Sequence, residues 1–205
     1  MFNLKIFLIF IILTNLNHVL IKAHSYSEIP NQKSLCSIKN TRYLNEYLYS
    51  SLTMGGRFTI KVFTNVIDSV YMHSPLQSLW ILEPSNYDNR TYYYISNFYH
   101  SKDHLCAKND LEDKLGFRRI VHLNPESRKT SECLWRFEHL INNNKSTIHI
   151  WNRKYNKALY AASFLFKTAK SNRRNVYLWA GKPDSDQFDW EVNCNVEDLI
   201  QYLKI

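Results

Sequence analysis

The residues with the most capacity for chemistry are cationic and lie in links between apolar runs. Lys167-x-x-Lys170-x-x-Arg173-Arg174 forms one cluster, and Arg118-Arg119 and Arg128-Lys129 form two smaller ones. The chain of 205 residues carries a formal charge of +8. Lys167, Lys170, Arg173, Arg174, Arg118, Arg128 and Lys129 therefore form a candidate anion site. Such a field would attract sulfated glycans, anionic lipid or nucleotides in a salt-dependent way. The alternative is a solvated basic face that keeps the protein soluble. GxSxG, HExxH and P-loop patterns do not occur, and only 4 glycines are present to cradle phosphates. No catalytic residue and no cofactor is expected. His100 and His104 stand four apart, a spacing that brings two ligands together on a helix. The repeat described below puts His100 at a strand-turn position instead, so no metal is expected. A secreted chain without a reading motif is also a poor candidate for nucleic acid.

The positioning elements begin after an address segment. Residues 1–23 read as a secretory signal peptide, with Lys5 before an apolar run and Ala23 or Ser25 at the cleavage point. A membrane anchor is the competing reading, but Asn15, Asn17 and His18 interrupt the run below the ~20 apolar residues of a span. No later stretch could span a bilayer. The expected location is extracellular, and the expected state is a monomer. Residues 24–33 form a short leader. Cys36, Cys106, Cys133 and Cys194 all survive cleavage, and an even count in an oxidising compartment implies disulfides, with three connectivities possible. The spacing holds no CxxC. Asn89-Arg90-Thr91 and Asn144-Lys145-Ser146 are sequons that secretion makes usable, at Asn89 and Asn144.

A period runs through the rest of the chain. Trp80, Trp135 and Trp190 are 55 residues apart, each opening a strand-like run with a further apolar residue two places on. Ile38-x-Asn40, Ile95-x-Asn97 and Ile150-x-Asn152 repeat in step, each followed by Tyr43, His100 or Tyr155. Leu-led strands follow at Leu48, Leu105 and Leu159. Arg-headed strands follow at Arg119 and Arg174, and Val70-Tyr71-Met72 is assigned that place in the first copy. Both sequons fall nine residues after a tryptophan, in a polar loop. The repeats span about 34–87, 88–142 and 143–194. An ordinary β-sandwich with evenly spaced strands is the competing reading.

Three four-stranded units that share one centre resemble the β-trefoil, an all-β fold, over residues 34–194. Trp80, Trp135 and Trp190 are then core residues. Closing the ring brings Cys36 beside Cys194 and leaves Cys106 for Cys133. After the third copy, Val196, Leu199, Ile200 and Leu203 follow helical spacing behind Asn195, so a short amphipathic helix is expected over 195–205, with a frayed tail as the alternative.

The tryptophan strand is similar to the ricin-type lectin repeat, whose signature is Gln-x-Trp. Gln77 and Gln187 stand three residues before their tryptophans rather than two. The family's sugar-binding Asp falls on Ser51, Lys108 and Ala162, so that sugar site is not carried over. The pattern Ile150, Asn152, Tyr155, Lys157, Leu159 resembles the trefoil half of the 30-kDa insect haemolymph lipoproteins. Trp spacing and cysteine use resemble the cysteine- and tryptophan-rich trefoils of mosquito saliva. The resemblances imply a secreted, non-enzymatic binding protein that recognises a glycan or sulfated polysaccharide such as heparin, as a salivary, venom or haemolymph effector. A protein-directed inhibitor or signalling ligand, binding an extracellular protein, is the first alternative; a storage or carrier protein is the second. Tyr92-Tyr93-Tyr94 and Tyr99 suit recognition, or reflect strand propensity alone.

Overall fold

The computed structural model describes residues 29–43, 45–55, 59–66, 74–100, 103–111, 118–124, 129–142, 145–168, 171–179 and 186–195. The expected signal peptide, the terminal helix beyond Asn195, Lys170, Arg128 and Asn144 lie outside these residues.

Strands repeat in three sets. The first is β1 (Ser34–Asn40), β2 (Glu46–Gly55), β3 (Thr59–Val66) and β4 (Leu79–Tyr87). The second is β5 (Arg90–Asn97), β6 (His104–Leu111), β7 (Arg118–Asn124) and β8 (Leu134–Asn142). The third is β9 (Lys145–Asn152), β10 (Lys157–Thr168), β11 (Ser171–Trp179) and β12 (Trp190–Asn193). A 3-10 turn precedes each tryptophan strand: Pro75–Ser78, Ser131–Cys133 and Asp186–Phe188. Among the described residues no helix is long and apolar enough to cross a membrane.

Pairing closes twice. β1 pairs β4, β4 pairs β5, β5 pairs β8, β8 pairs β9, β9 pairs β12, and β12 returns to β1. That ring is a barrel without a free edge. The hairpins β2–β3, β6–β7 and β10–β11 form a second layer, in which β3, β7 and β11 pair with one another. Each hairpin has a register shift at a corresponding place, after Ser50, Ala107 and Ala161, where an irregularity bends the strand over the ring. The all-β closed barrel is compatible with the β-trefoil.

The third strand of the first set corrects one expectation. That place is filled by Thr59–Val66, with Ile60, Val62 and Phe63 buried, and not by 70–72, which lie outside the described residues. The extra length of the first copy falls after its third strand instead of before it.

The repeated residues hold the repeats together. Trp80, Trp135 and Trp190 are fully buried in one core with Ile38, Ile95 and Ile150. Their Nε1–H groups donate to the carbonyls of Leu48 (2.8 Å), Leu105 (2.7 Å) and Leu159 (3.1 Å). A buried indole N–H needs such a partner. The Ile-x-Asn asparagines act across repeats. Asn40 Nδ2 donates to the carbonyl of Gln187 (3.0 Å), Asn97 Nδ2 to that of Gln77 (2.8 Å), and Asn152 Nδ2 to that of Glu132 (2.7 Å). Each amide thus ties the start of one repeat to the 3-10 turn of the preceding one. Each Oδ1 accepts from its own following loop: Arg42 N, His100 N and Tyr155 N. His100 and Tyr155 therefore occupy matching turn positions. Disulfides join Cys36 to Cys194 and Cys106 to Cys133. The first ties the opening strand of the ring to the chain just beyond its last.

Candidate functional site

The candidate cations do not converge. Arg174 on β11 is spent inside the protein. Its Nε donates to both carboxylate oxygens of Glu46 at 3.0 Å, with the two side chains only 13% and 8% exposed. Its guanidinium lies 3.6 Å over the Tyr43 ring, and Nη1 reaches the Ser163 carbonyl at 2.6 Å. Glu46 also accepts from Thr64 Oγ1 at 2.7 Å. Arg173 stacks 4.0 Å over Phe63 and donates to Tyr49 Oη at 3.4 Å. Arg118 lies 5.4 Å over Tyr177. These three stitch the hairpin layer, where β11 meets β3 and β7. Lys167 lies on β10, with its side chain outside what the structure describes.

Lys129 is elsewhere. It sits just before the second 3-10 turn, in the wall of a cleft of about 530 Å³. Three chain segments meet there: the tip of the β4–β5 hairpin, the approach to β8, and the loop after β9. They contribute Tyr87 and Tyr94, Lys129 with Thr130 and Ser131, and Arg153 with Lys154. The neighbouring Asn152 clamp explains the placement of the last pair, because it fixes the turn in which Arg153 and Lys154 sit. Arg153 N also donates to the Leu134 carbonyl at 2.9 Å.

Each cation of the cleft has an acidic partner. Lys129 Nζ donates to Glu83 at 2.6 Å, Arg153 Nη2 to Asp88 at 3.1 Å, and Lys154 Nζ to Glu132. The Lys129 hydrogen bond holds the Glu83 carboxyl below the usual carboxylate range, and Lys154 does the same for Glu132. Arg153 lies 3.5 Å over Tyr87, and Lys129 5.0 Å over Tyr94. Tyr87 is 48% exposed beside that guanidinium. The tyrosine run splits by strand parity: Tyr93 is buried in the core against Phe137, whereas Tyr92 and Tyr94 pack outside it.

The two kinds of ion pair differ in what they allow. An exposed pair such as Lys129–Glu83 contributes about 0–1 kcal/mol, so an incoming anion can replace its acid. Removing one partner of a buried pair such as Arg174–Glu46 leaves a desolvated charge, at a cost of about 3–5 kcal/mol. Among the candidate cations with described side chains, Lys129 is thus the one in an open, exchangeable setting. Tyr87, Arg153 and Lys154 are additional candidate residues beside it. A signal for them was present, since Arg153-Lys154 follows directly on the Asn of the repeat motif.

The positions of the ricin-type sugar carboxylate offer no such setting. Ser51 and Ala162 are buried, and Lys108 carries the wrong charge. His104 on β6 is buried, with Nδ1 2.7 Å from Ser96 Oγ. Burial, followed by the Lys129 charge, lowers its pKa below the ordinary value. Among the described residues no three His, Cys, Asp or Glu side chains gather as a metal site.

No protein-family model matches the sequence, and no curated protein matches it either. Solved structures do resemble the fold. A Culex salivary protein of the cysteine and tryptophan-rich family has a TM-score of 0.55 at 15% identity, covering 81% of this chain and 95% of that one. The BEL β-trefoil has a TM-score of 0.54 at 15% identity, covering 82% and 97%. The Polyporus squamosus lectin, solved with the epitope Neu5Acα2-6Galβ1-4GlcNAc, has a TM-score of 0.56 at 14% identity, covering 80% of this chain and 50% of the lectin. At these identities the likeness establishes the fold alone, an all-β closed barrel of the kind those proteins share.

Proposed function

We propose that this chain is a secreted, non-enzymatic β-trefoil that captures an acidic glycan in the Tyr87–Lys129–Arg153–Lys154 cleft. The observation that carries the reading is the cleft itself: a half-exposed tyrosine beside three cations whose acidic partners, Glu83, Asp88 and Glu132, are reached by solvent. A sugar ring presents an apolar face to an aromatic ring, and its sulfate or carboxylate takes charge-assisted hydrogen bonds from Lys and Arg. Thr130 and Ser131 add hydroxyl partners for the sugar's own hydroxyls. Two disulfides support an extracellular setting. The likeness to a lectin solved with a sialylated epitope, and to a salivary protein, is compatible with the same reading.

Heparin chromatography tests it. The protein should be retained and should elute earlier as salt rises. Lys129→Ala and Arg153→Ala should each weaken binding about tenfold, the loss of one charge-assisted hydrogen bond. Retention unchanged in both variants would remove the cleft from the account. A protein-directed role has its own support in Phe98 and Tyr99, which follow β5 at the end of the β4–β5 hairpin away from its tip and are 40% and 47% exposed. It would show as partner binding that is insensitive to both cleft variants and lost in Phe98→Ser.

A further inference from the structure

The tip of the β4–β5 hairpin forms one wall of the cleft and also carries a sequon. Asp88 and Asn89 are the two turn residues, with φ of 50° and 58°, between the paired Tyr87 and Arg90. Asn and Asp tolerate this left-handed geometry, which a two-residue hairpin turn needs. Asn89, Arg90 and Thr91 are all exposed. Asp88 is pinned to Arg153 at 3.1 Å, and Tyr87 lies under the same guanidinium. Asn89 is the next residue, its Cα about 3.8 Å from that of Asp88. A second hollow, about 520 Å³ and lined by residues 86–91, shares Tyr87 with the cleft. Room for sugar residues therefore runs from the Asn89 side chain to the Tyr87 ring.

We propose that Asn89 carries an N-linked glycan that lies along this hollow and partly occupies the cleft, so that glycosylation at Asn89 regulates capture of an external glycan. The regulatory half rests on the binding reading given above. The modification uses the lipid-linked oligosaccharide donor of the secretory pathway. Asn89 Nδ2 forms the bond to the anomeric carbon, the carbon–oxygen bond to the lipid diphosphate breaks, and the amide gives up one proton as the lipid diphosphate leaves. The attached sugar shares the chemistry of the proposed ligand: hydroxyl-rich, with an apolar ring face for Tyr87. Being tethered, it competes at high effective concentration.

The test uses the full chain secreted from eukaryotic cells with Asn144→Gln, which leaves one sequon. Thr91→Val removes the acceptor signal, keeps a β-branched residue in the strand and leaves the turn Asn in place; Asn89→Gln is the second comparator. Peptide mass spectrometry should find the glycan on Asn89. The unglycosylated forms should bind immobilised heparin at least about threefold more tightly, as expected when the tethered sugar fills the cleft about two-thirds of the time. Arg153 should react with phenylglyoxal at least about threefold faster in them, for the same reason. An unmodified Asn89 peptide, or Arg153 reactivity equal in both forms, would overturn the inference. Glycan-dependent shielding of Arg153 with heparin ignored by both forms would leave the placement of the Asn89 glycan standing and sink the binding reading, and with it the regulatory role. Shielding with equal heparin affinity in both forms would overturn the regulatory role.

Discussion

The indole Nε1–H of Trp135 donates to the main-chain carbonyl of Leu105 at 2.7 Å, deep in the core. The same bond links Trp80 to Leu48 and Trp190 to Leu159. Each joins the fourth strand of a repeat to its second, so the threefold period in the sequence is the record of three equivalent hydrogen bonds as well as three equal volumes. Trp135→Phe strips a buried carbonyl of its partner and leaves a void, so it should cost about 2–4 kcal/mol. Urea unfolding with disulfides intact measures this, and an effect near zero would deny the bond its role.

Arg174 and Glu46 should behave as a structural pair. Either Arg174→Leu or Glu46→Leu alone should destabilise by about 3–5 kcal/mol, while the double substitution should recover much of the loss. Heparin retention of the folded Arg174→Leu protein should match that of the unaltered chain. A selective loss of retention would return the anion site to the hairpin layer.

Much of this was legible in the sequence, and the remainder has identifiable causes. Tryptophans, asparagines and leucines recur because each repeat must meet the same neighbours. The cysteine pairing followed from closure of the ring. The sequence pattern puts the first copy's third strand at 70–72 rather than Thr59–Val66 because a hairpin strand carries only a weak period, and the length difference lies on its far side. Contacts between distant segments left no spacing to read. Arg174 and Glu46 are 128 residues apart, and Tyr87, Lys129 and Arg153 come from three separate stretches. In a sequence, an arginine consumed by a buried carboxylate looks the same as one facing solvent.

Stability should fall on mild acidification. His104 in the folded protein titrates below its ordinary value of 6.5, through burial and then Lys129, while Glu83, Asp103 and Lys33 also act on it. The unfolded chain therefore takes up the proton first. Stability is constant from this source above about pH 6.5 and drops as pH falls from there toward the lowered value. His100 is lowered by burial too and acts in the same direction. The melting temperature should be lower at pH 5 than at pH 7, with a shallower decline in His104→Gln. An equal decline in that variant would assign the effect elsewhere.

The two disulfides should differ in weight. Loop-closure entropy assigns about 5 kcal/mol to Cys36–Cys194 and about 3.5 kcal/mol to Cys106–Cys133, whose separations are 158 and 27 residues. Paired Cys→Ala variants compared by denaturant unfolding test the order. The reverse order would mean that the ring stays closed without its covalent tie.

The most direct test of the glycan-binding claim is an NMR titration of the isotopically labelled, unglycosylated protein with a heparin-derived tetrasaccharide. Amide shift changes are expected at Tyr87, Thr130, Ser131, Arg153 and Lys154, fading as salt is added. Changes confined to Arg118, Arg173 and Arg174, or none at millimolar sugar, would contradict it.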